Sequence, residues 1–148
     1  IINNQFTWFG TNKDYAFVNV GSDIMVKNAV ALYKKLLSQG YKVEDIQLLT
    51  SYKKGDIGTV VINNAVQKVA NPNYGSTECM KVGDTVYFKG DQIIQNVNNY
   101  HAQLFVDDDY GFDEELRETF IANGETGIVK DVFTSYLIID FDGVKVKY

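Results

Sequence analysis

The stretch YLIIDFDGVKVKY, residues 136–148, carries the clearest fold signal in the chain. Its two halves, residues 136–141 and 144–148, are rich in β-branched and aromatic side chains, which favours extended strands. Asp142-Gly143 stands between them, and both residues tolerate the positive φ that a two-residue turn needs. The sequence therefore predicts a tight antiparallel hairpin at this point of the chain.

Working outward, further strand-like runs precede the hairpin, all of them after residue 76. They lie at residues 82–88, 92–97 and 126–132, and the last follows a turn signal at Asn123-Gly124. Four or five short strands with tight turns are typical of a small β-barrel. One or two helical turns are predicted at residues 113–120, inside an acidic stretch.

The first 76 residues have a different pattern, in which strand-like and helix-like segments alternate. Strands are predicted at residues 5–10, 15–20 and 45–50, and helices at residues 22–39 and 60–69. Ser22-Asp23 and Thr59 supply N-caps, and Gly40 ends the first helix. This alternation predicts a parallel sheet covered by helices, with too few strands for a complete doubly wound domain. The chain's only proline, Pro72, places the domain boundary near residue 76.

The net charge of −5 argues at first against nucleic acid, but the acidic residues are unevenly distributed. Residues 107–118 hold seven acids and one base; the rest of the chain has 12 acids and 13 bases, which is close to neutral. The lone Cys79 allows no intrachain disulfide and suits a reducing compartment, so a cytoplasmic location is predicted. We expect no membrane span, and we expect the chain to be a piece of a longer protein.

Motifs for catalysis, metals and nucleotides are missing from the sequence. The run KKGDIG at residues 53–58 has lysines and glycines in the wrong order for a phosphate loop. There is no HExxH, no Cys/His cluster and no calcium loop with alternating ligands. No catalytic residue and no metal ligand is therefore predicted.

Two polar clusters are candidates for ligand contacts. Residues 51–58 connect a predicted strand to a predicted helix, a position where exposed amides favour phosphate. The candidates are Thr50, at the end of the predicted strand, and Ser51, Lys53 and Lys54 in the connection. An ordinary connection with exposed lysines is an equally good interpretation.

The second cluster, QNVNNY at residues 95–100, holds the candidates Gln95, Asn98, Asn99 and Tyr100. Amides can bind backbone or base edges, and the Tyr100 ring can stack on a base. The alternative is a loop whose Asn side chains satisfy its own turn. Lys145 and Lys147 alternate with apolar residues and so face one side of a strand, as a solvated face or as one that follows phosphates.

The order of these motifs resembles the RecD-like helicases, the family of the exodeoxyribonuclease V alpha subunit. The run IQLLTSYKKGDIG at residues 46–58 is followed by INNAVQ at 62–67 and by Asn71-Pro72. Val82-Gly83-Asp84, the 95–100 cluster, NGETGIV at 123–129 and DFDG at 140–143 continue the resemblance. The sequence departs from the family at Ser51, where proline is usual, at extra residues near 87–93, and at a longer acidic stretch over 101–120.

The resemblance implies a partial, RecA-like parallel α/β unit over residues 1–76, from the second motor domain. It implies a Src-homology-3-like β-barrel over residues 77–148, with an acidic insertion near 101–120. The parent protein would be an ATP-dependent DNA helicase, a hydrolase that uses ATP and Mg²⁺ in DNA repair or recombination. Its phosphate loop and metal-binding acids would lie outside this chain, which by itself would be inactive. Single-stranded DNA and other helicase–nuclease subunits are the implied partners.

Two other functions are open from the sequence. Small barrels often bind proteins, so the chain can be a non-catalytic interaction module with its acidic stretch as the contact face. An independent enzyme would need a pocket that the sequence does not indicate.

Overall fold

The computed structural model describes residues 20–105 and 117–148. Its contacts divide the chain into two compact units, one ending at Ala70 and the other spanning Asn71–Tyr148. We call the first the helical unit and the second the sheet unit. The predicted strands at residues 5–10 and 15–20 lie outside the described residues, except for Val20, which belongs to no helix or strand.

The first helix, α1, spans Ser22–Ser38 and confirms the predicted segment. Its N-cap is Gly21 and not the expected Ser22, which lies in the first turn. Gly40 follows the helix as predicted: its amide bonds to the Leu37 carbonyl, and the Tyr41 amide reaches back to the Leu36 carbonyl. This double closure is the Schellman arrangement, which satisfies carbonyls that the helix end would leave free.

The second helix, α2, spans Thr59–Ala70 and is also confirmed. It packs against α1, and each helix buries one residue, Tyr33 on α1 and Ile62 on α2. Burial removes water from the Tyr33 hydroxyl and raises its pKa above the ordinary 10.0.

The predicted strand at residues 45–50 is wrong. Val43–Asp45 form a short 3₁₀ helix instead, in which the Asp45 carboxylate accepts a hydrogen bond from the Lys42 amide at 2.9 Å. The following residues are not in a strand, and Leu49 is 87% exposed. Within residues 20–70 there is no strand, so the predicted parallel sheet has no counterpart in the described part of the helical unit.

The sheet unit contains eight strands among its described residues, and all of their pairings are antiparallel. A two-stranded sheet pairs β1 with β2, and a six-stranded sheet has the order β3-β6-β7-β8-β4-β5. The strands are β1 Cys79–Val82, β2 Thr85–Phe88, β3 Gln92–Ile94, β4 Asn99–Leu104, β5 Glu118–Ile121, β6 Thr126–Val132, β7 Leu137–Phe141 and β8 Val144–Lys147. The chain thus combines α-helices with antiparallel sheets, and its assignment to named folds stays a prediction.

The hairpin of β7 and β8 is confirmed. Phe141 pairs with Val144 across the turn, and Asp142 and Gly143 have φ values of 50° and 91°. The Asp140 carboxylate accepts the Gly143 amide at 2.7 Å. Positive φ at both central residues matches the right-handed twist of the strands, which is why Asp-Gly is favoured there.

The strand prediction was incomplete elsewhere in the sheet unit. Strands β4 and β5 were not expected, and the predicted helical segment 113–120 is wrong at residues 118–120, which belong to β5. Residues 113–116 lie outside the described part of the chain. The predicted run 92–97 is a strand only up to Ile94.

One apolar core lies within the six-stranded sheet. Its members come from five strands and are buried to 5% exposure or less: Ala102, Ile121, Val129, Leu137, Ile139, Phe141 and Val146. Burial of such side chains is the main source of stability for a sheet of this size.

A buried polar cluster joins the start of the sheet unit to the connection between β2 and β3. Asn71 and Asp91 are each only 6% exposed. The Asn71 amide donates to the Asp91 carboxylate at 2.7 Å and to the Lys89 carbonyl at 3.0 Å. The second carboxylate oxygen of Asp91 accepts the Phe88 amide at 2.8 Å. We call Asn71 and Asp91 the polar latch; it fixes the Asn71-Pro72 turn onto the sheet unit.

No helix among the described residues is long and apolar enough to cross a membrane. In residues 20–105 and 117–148, no three His, Cys, Asp or Glu side chains are grouped closely enough to hold a metal ion.

Candidate nucleic-acid interface

The first predicted cluster lies in the loop that precedes α2, and the loop is closed by its own hydrogen bonds. The Thr50 hydroxyl donates to the Ile57 carbonyl at 3.0 Å and accepts the Tyr52 amide at 3.3 Å. The Thr59 amide donates to the Tyr52 carbonyl at 3.0 Å. Thr50 therefore holds the loop shape with the hydroxyl that had been expected to contact a ligand.

Gly58 allows the two ends of this loop to meet. The residue is buried, and an added Cβ would lie 2.8 Å from the Lys53 carbonyl oxygen, a distance that real side chains do not tolerate. Gly58 directly precedes α2, and its close approach fixes the backbone of Lys53 against the start of the helix. A compact loop is thereby presented at the N-terminus of α2.

Ser51, Lys53 and Lys54 are exposed on this loop. Among the described residues, no carboxylate forms an ion pair with either lysine. The structure thus leaves two cationic groups next to each other in sequence and available to an anion.

The second predicted cluster is brought together at one end of the six-stranded sheet, and Tyr148 joins it. The Tyr148 hydroxyl donates to Gln95 Oε1 at 2.8 Å and accepts from Asn99 Nδ2 at 3.2 Å. Asn98 Nδ2 donates to the Tyr100 hydroxyl at 3.1 Å. The four predicted residues therefore form two hydrogen-bonded groups: Gln95 and Asn99 share the Tyr148 hydroxyl, and Asn98 holds the Tyr100 hydroxyl.

The remaining amide atoms of the cluster also have internal partners. Gln95 Nε2 donates to the Val97 carbonyl at 2.7 Å. Asn98 Oδ1 accepts the Asn123 amide at 2.8 Å, and Asn99 Oδ1 accepts the His101 amide at 3.1 Å. This matches the alternative in which Asn side chains satisfy their own turn. The amides are consequently built into the framework of the site.

A β-bulge places the Tyr100 ring on the surface. The pairing of β4 with β5 is Asn99 with Ile121 and then Ala102 with Thr119. Tyr100 and His101 consequently lie together opposite the single residue Phe120. Bulges of this kind redirect side chains and are frequent near functional sites.

The bulge creates two cross-strand contacts. The Tyr100 and Phe120 rings lie 5.0 Å apart between centroids, tilted by 30°, and the two residues are 64% and 48% exposed. His101 Nδ1 lies 2.6 Å from Glu118 Oε2. We call Tyr100 and Phe120 the ring pair; it is an exposed aromatic surface beside the amide cluster.

A second pair of aromatic rings lies between β6 and β7, in which Phe133 is exposed and Tyr136 is half-buried. The Phe133 and Tyr136 rings stack at 4.4 Å and 20°, and the Lys147 ammonium lies 4.5 Å from the Tyr136 ring centroid. The register pairs Lys145 with Asp140 and Lys147 with Ile138, which confirms that both lysines face one side of β8. Cation–π contact with Tyr136 occupies Lys147 and makes it a poorer candidate for phosphate.

Sequence reasoning missed Phe120 and Tyr148. Tyr148 is the last residue of the alternating run predicted at residues 144–148. Its position in that run could have placed it at the end of the sheet. Phe120 gave no signal of its own, because its importance depends on the register of β5 against the bulged β4. The acidic residues 107–109 and 113–115 lie outside the described part of the chain.

Comparison with known proteins gives a limited relationship. No protein-family model matches the chain. The chain is 26% identical over 98 residues to the ATP-dependent RecD2 DNA helicase of Deinococcus radiodurans. The alignment covers 66% of this chain and 11% of that helicase, so the chain spans only a small part of its relative's length. This similarity indicates a helicase-related protein.

Proposed function

We propose that the chain is a segment of a RecD-like DNA helicase and contributes single-stranded DNA binding and strand separation during DNA repair or recombination. The observation that carries the proposal is the exposed Tyr100 ring, held beside an amide cluster in the stretch whose motifs resemble that family. The partial similarity to a RecD2 helicase supports the same conclusion. Residues 1–76 would then belong to the second motor domain and residues 77–148 to an inserted barrel.

The loop before α2 would hold the DNA backbone. Lys53 and Lys54 are exposed cations, and Ser51 adds a hydroxyl that is hydrogen-bonded to no described residue. Cations that neutralise phosphates release counterions, which gives binding energy without sequence preference. Thr50 contributes by keeping the loop closed.

The second cluster would hold the bases. Single-strand binding surfaces combine cationic groups that follow the backbone with aromatic rings on which bases stack. Within the sheet unit, Gln95, Asn98, Asn99 and Tyr100 supply amide and aromatic groups of the kind that hold bases.

ATP and Mg²⁺ would act elsewhere in the parent protein. The loop at residues 53–58 lacks the phosphate-loop order, and the described residues contain no group of ligands suited to a metal. Residues 20–105 and 117–148 therefore do not fit an ATP–Mg²⁺ site, and we propose no nucleotide-binding role for them. ATP hydrolysis by the chain alone would contradict this division of roles.

A salt titration with matched variants tests the backbone role. The chain is titrated with labelled single-stranded DNA at several salt concentrations, as the native protein, as K53Q/K54Q and as the control K27Q/K34Q. Both variants remove two exposed lysines, so they change the net charge equally. For K53Q/K54Q, the slope of log K against log salt should become shallower by about 1.4, since each single-strand phosphate contact contributes about 0.7.

The control variant should leave that slope nearly unchanged, because Lys27 and Lys34 lie on α1 and are not predicted to contact DNA. Equal effects of the two variants would show that only overall charge matters. Absence of binding at low salt would reject the proposed function.

A further inference from the structure

We propose that the ring pair, Tyr100 and Phe120, is a stacking platform for an unpaired nucleobase, and that the surrounding amides position it without reading the base. This inference rests on the proposed function and makes it more specific. It adds Phe120 to the site and assigns two positioning residues: Asn98, which holds the Tyr100 hydroxyl, and Asn99, which accepts the His101 amide in the bulge.

The exposure of the two rings is the first support. Tyr100 and Phe120 remain 64% and 48% exposed although they contact each other, and both lie outside the apolar core. Aromatic surface of this kind is normally buried in a folded protein, so its exposure on adjacent strands indicates a contact surface. A nucleobase offers a flat π face of matching size.

The bulge is the second support. A regular pairing of β4 with β5 would place one residue of β4 opposite Phe120, but the bulge places two there. The extra residue lets Tyr100 meet Phe120 while His101 contacts Glu118 at 2.6 Å. The regular pairing of β4 with β5 is therefore interrupted at the point where the Tyr100 ring is exposed.

The hydrogen bonds of the amide cluster are the third support. Asn98 holds the Tyr100 hydroxyl, and its other amide atom accepts the Asn123 amide. Asn99 and Gln95 are both bonded to the Tyr148 hydroxyl. Because the acceptor oxygens are used internally, these side chains are poorly placed to discriminate base edges. Binding through the platform should therefore tolerate any base.

The test compares ordinary and abasic DNA. The 148-residue chain is titrated with fluorescein-labelled oligothymidylate and with an abasic oligonucleotide of the same length. The variants are Y100A, F120A and the conservative Y100F. F133A is the matched control, because it removes an exposed ring that also contacts a second ring, Tyr136, at 4.4 Å between centroids.

Y100A and F120A should each weaken binding of oligothymidylate by about 5- to 150-fold, the range for losing the stacking contact between one ring and one base. Neither should change binding of the abasic oligonucleotide, and the salt slope should stay the same, since stacking releases no counterions. Y100F keeps the ring and should retain most of the affinity, and F133A should bind like the native chain.

Several results would overturn the platform. An equal loss for the two oligonucleotides would mean that the variants disturb backbone binding or folding, and an equal loss in F133A would mean that any exposed ring contributes. Native-like affinity in both Y100A and F120A would reject the platform while leaving the proposed function intact. No binding of either oligonucleotide by the native chain would reject both.

Discussion

Replacing Asn71 with alanine removes one half of the polar latch and with it the hydrogen bond that the Asn71 amide donates to the buried Asp91 carboxylate. In the native protein the Asn71 amide donates to Asp91 at 2.7 Å and to the Lys89 carbonyl at 3.0 Å, and its oxygen accepts the Asn73 amide at 2.9 Å. Because Asn71 and Asp91 are each 6% exposed, water cannot easily replace the lost donor.

The bond to Asp91 dominates the expected cost. A hydrogen bond to a charged group contributes about 1.5–3 kcal/mol, and a neutral one about 0.5–1.5 kcal/mol. Lys89 and Asn73 are exposed, so their backbone groups can turn to water and recover part of the loss. We therefore expect Asn71→Ala to lower the free energy of unfolding of the sheet unit by about 2–4 kcal/mol.

Asn73→Ala is the matched control. It removes the same type of side chain from the same turn, but that side chain is exposed and donates one bond, to the Lys89 carbonyl at 2.9 Å. Its cost should stay below about 1 kcal/mol. Combining Asn71→Ala with Asp91→Ala should reveal a coupling energy of about 0.5–3 kcal/mol, as is usual for directly bonded side chains.

Native-state hydrogen exchange is the suitable assay, because a chain with two units need not unfold in a single step. The Val129 amide is a good reporter: it lies in the core strand β6 and donates to the Asp91 carbonyl at 2.9 Å. A loss of protection there of less than about 0.5 kcal/mol in Asn71→Ala, or equal losses in Asn71→Ala and Asn73→Ala, would refute the latch.

Three other predictions concern stability. Ile139 is 4% exposed in the core. Ile139→Ala should lower the free energy of unfolding by about 2–5 kcal/mol, measured by urea denaturation followed by circular dichroism. A loss under about 1 kcal/mol would mean that the core is loosely packed. Gly143→Ala puts a side chain on a residue with φ of 91° and should lower the free energy of unfolding by about 1–2 kcal/mol in the same assay. An unchanged free energy of unfolding would contradict the turn geometry. Burial raises the pKa of Tyr33, so its contribution to stability is complete below pH 10.0 and is lost as the pH rises through the higher pKa of the folded state. As the pH rises into the alkaline range, Tyr33→Phe should lose less helical circular dichroism signal than the native chain. Identical pH curves for the two proteins would refute a stabilising role for the neutral Tyr33 hydroxyl.

The elements that could be predicted from sequence are those with strong local signals. Asp142-Gly143 between two alternating strands specifies its own turn, and Gly40 closes the end of helix α1 with its amide, as expected. The strand predicted at residues 45–50 failed because an apolar run becomes a strand only when another strand pairs with it. Asp45 instead closes a 3₁₀ turn through its side chain, and Leu49 stays exposed.

Features that depend on contacts between distant residues could not be predicted. The bulge in β4 is defined only by its register with β5, so Phe120 could not be paired with Tyr100 in advance. The polar latch joins Asn71 to Asp91 across 20 positions of sequence, and neither residue carries a local signal for it. The grouping of Gln95, Asn98, Asn99 and Tyr100 followed from their closeness in sequence, whereas their contacts with DNA stay a prediction.

The most direct test of DNA binding is a titration of the native chain with a labelled single strand and with a duplex of the same length, each at low and at moderate salt. Single-stranded DNA should bind more tightly than duplex, because only unpaired bases can stack on the ring pair, and its affinity should fall as salt rises. No binding to the single strand at low salt, or equal affinity for the two forms, would contradict the proposed role.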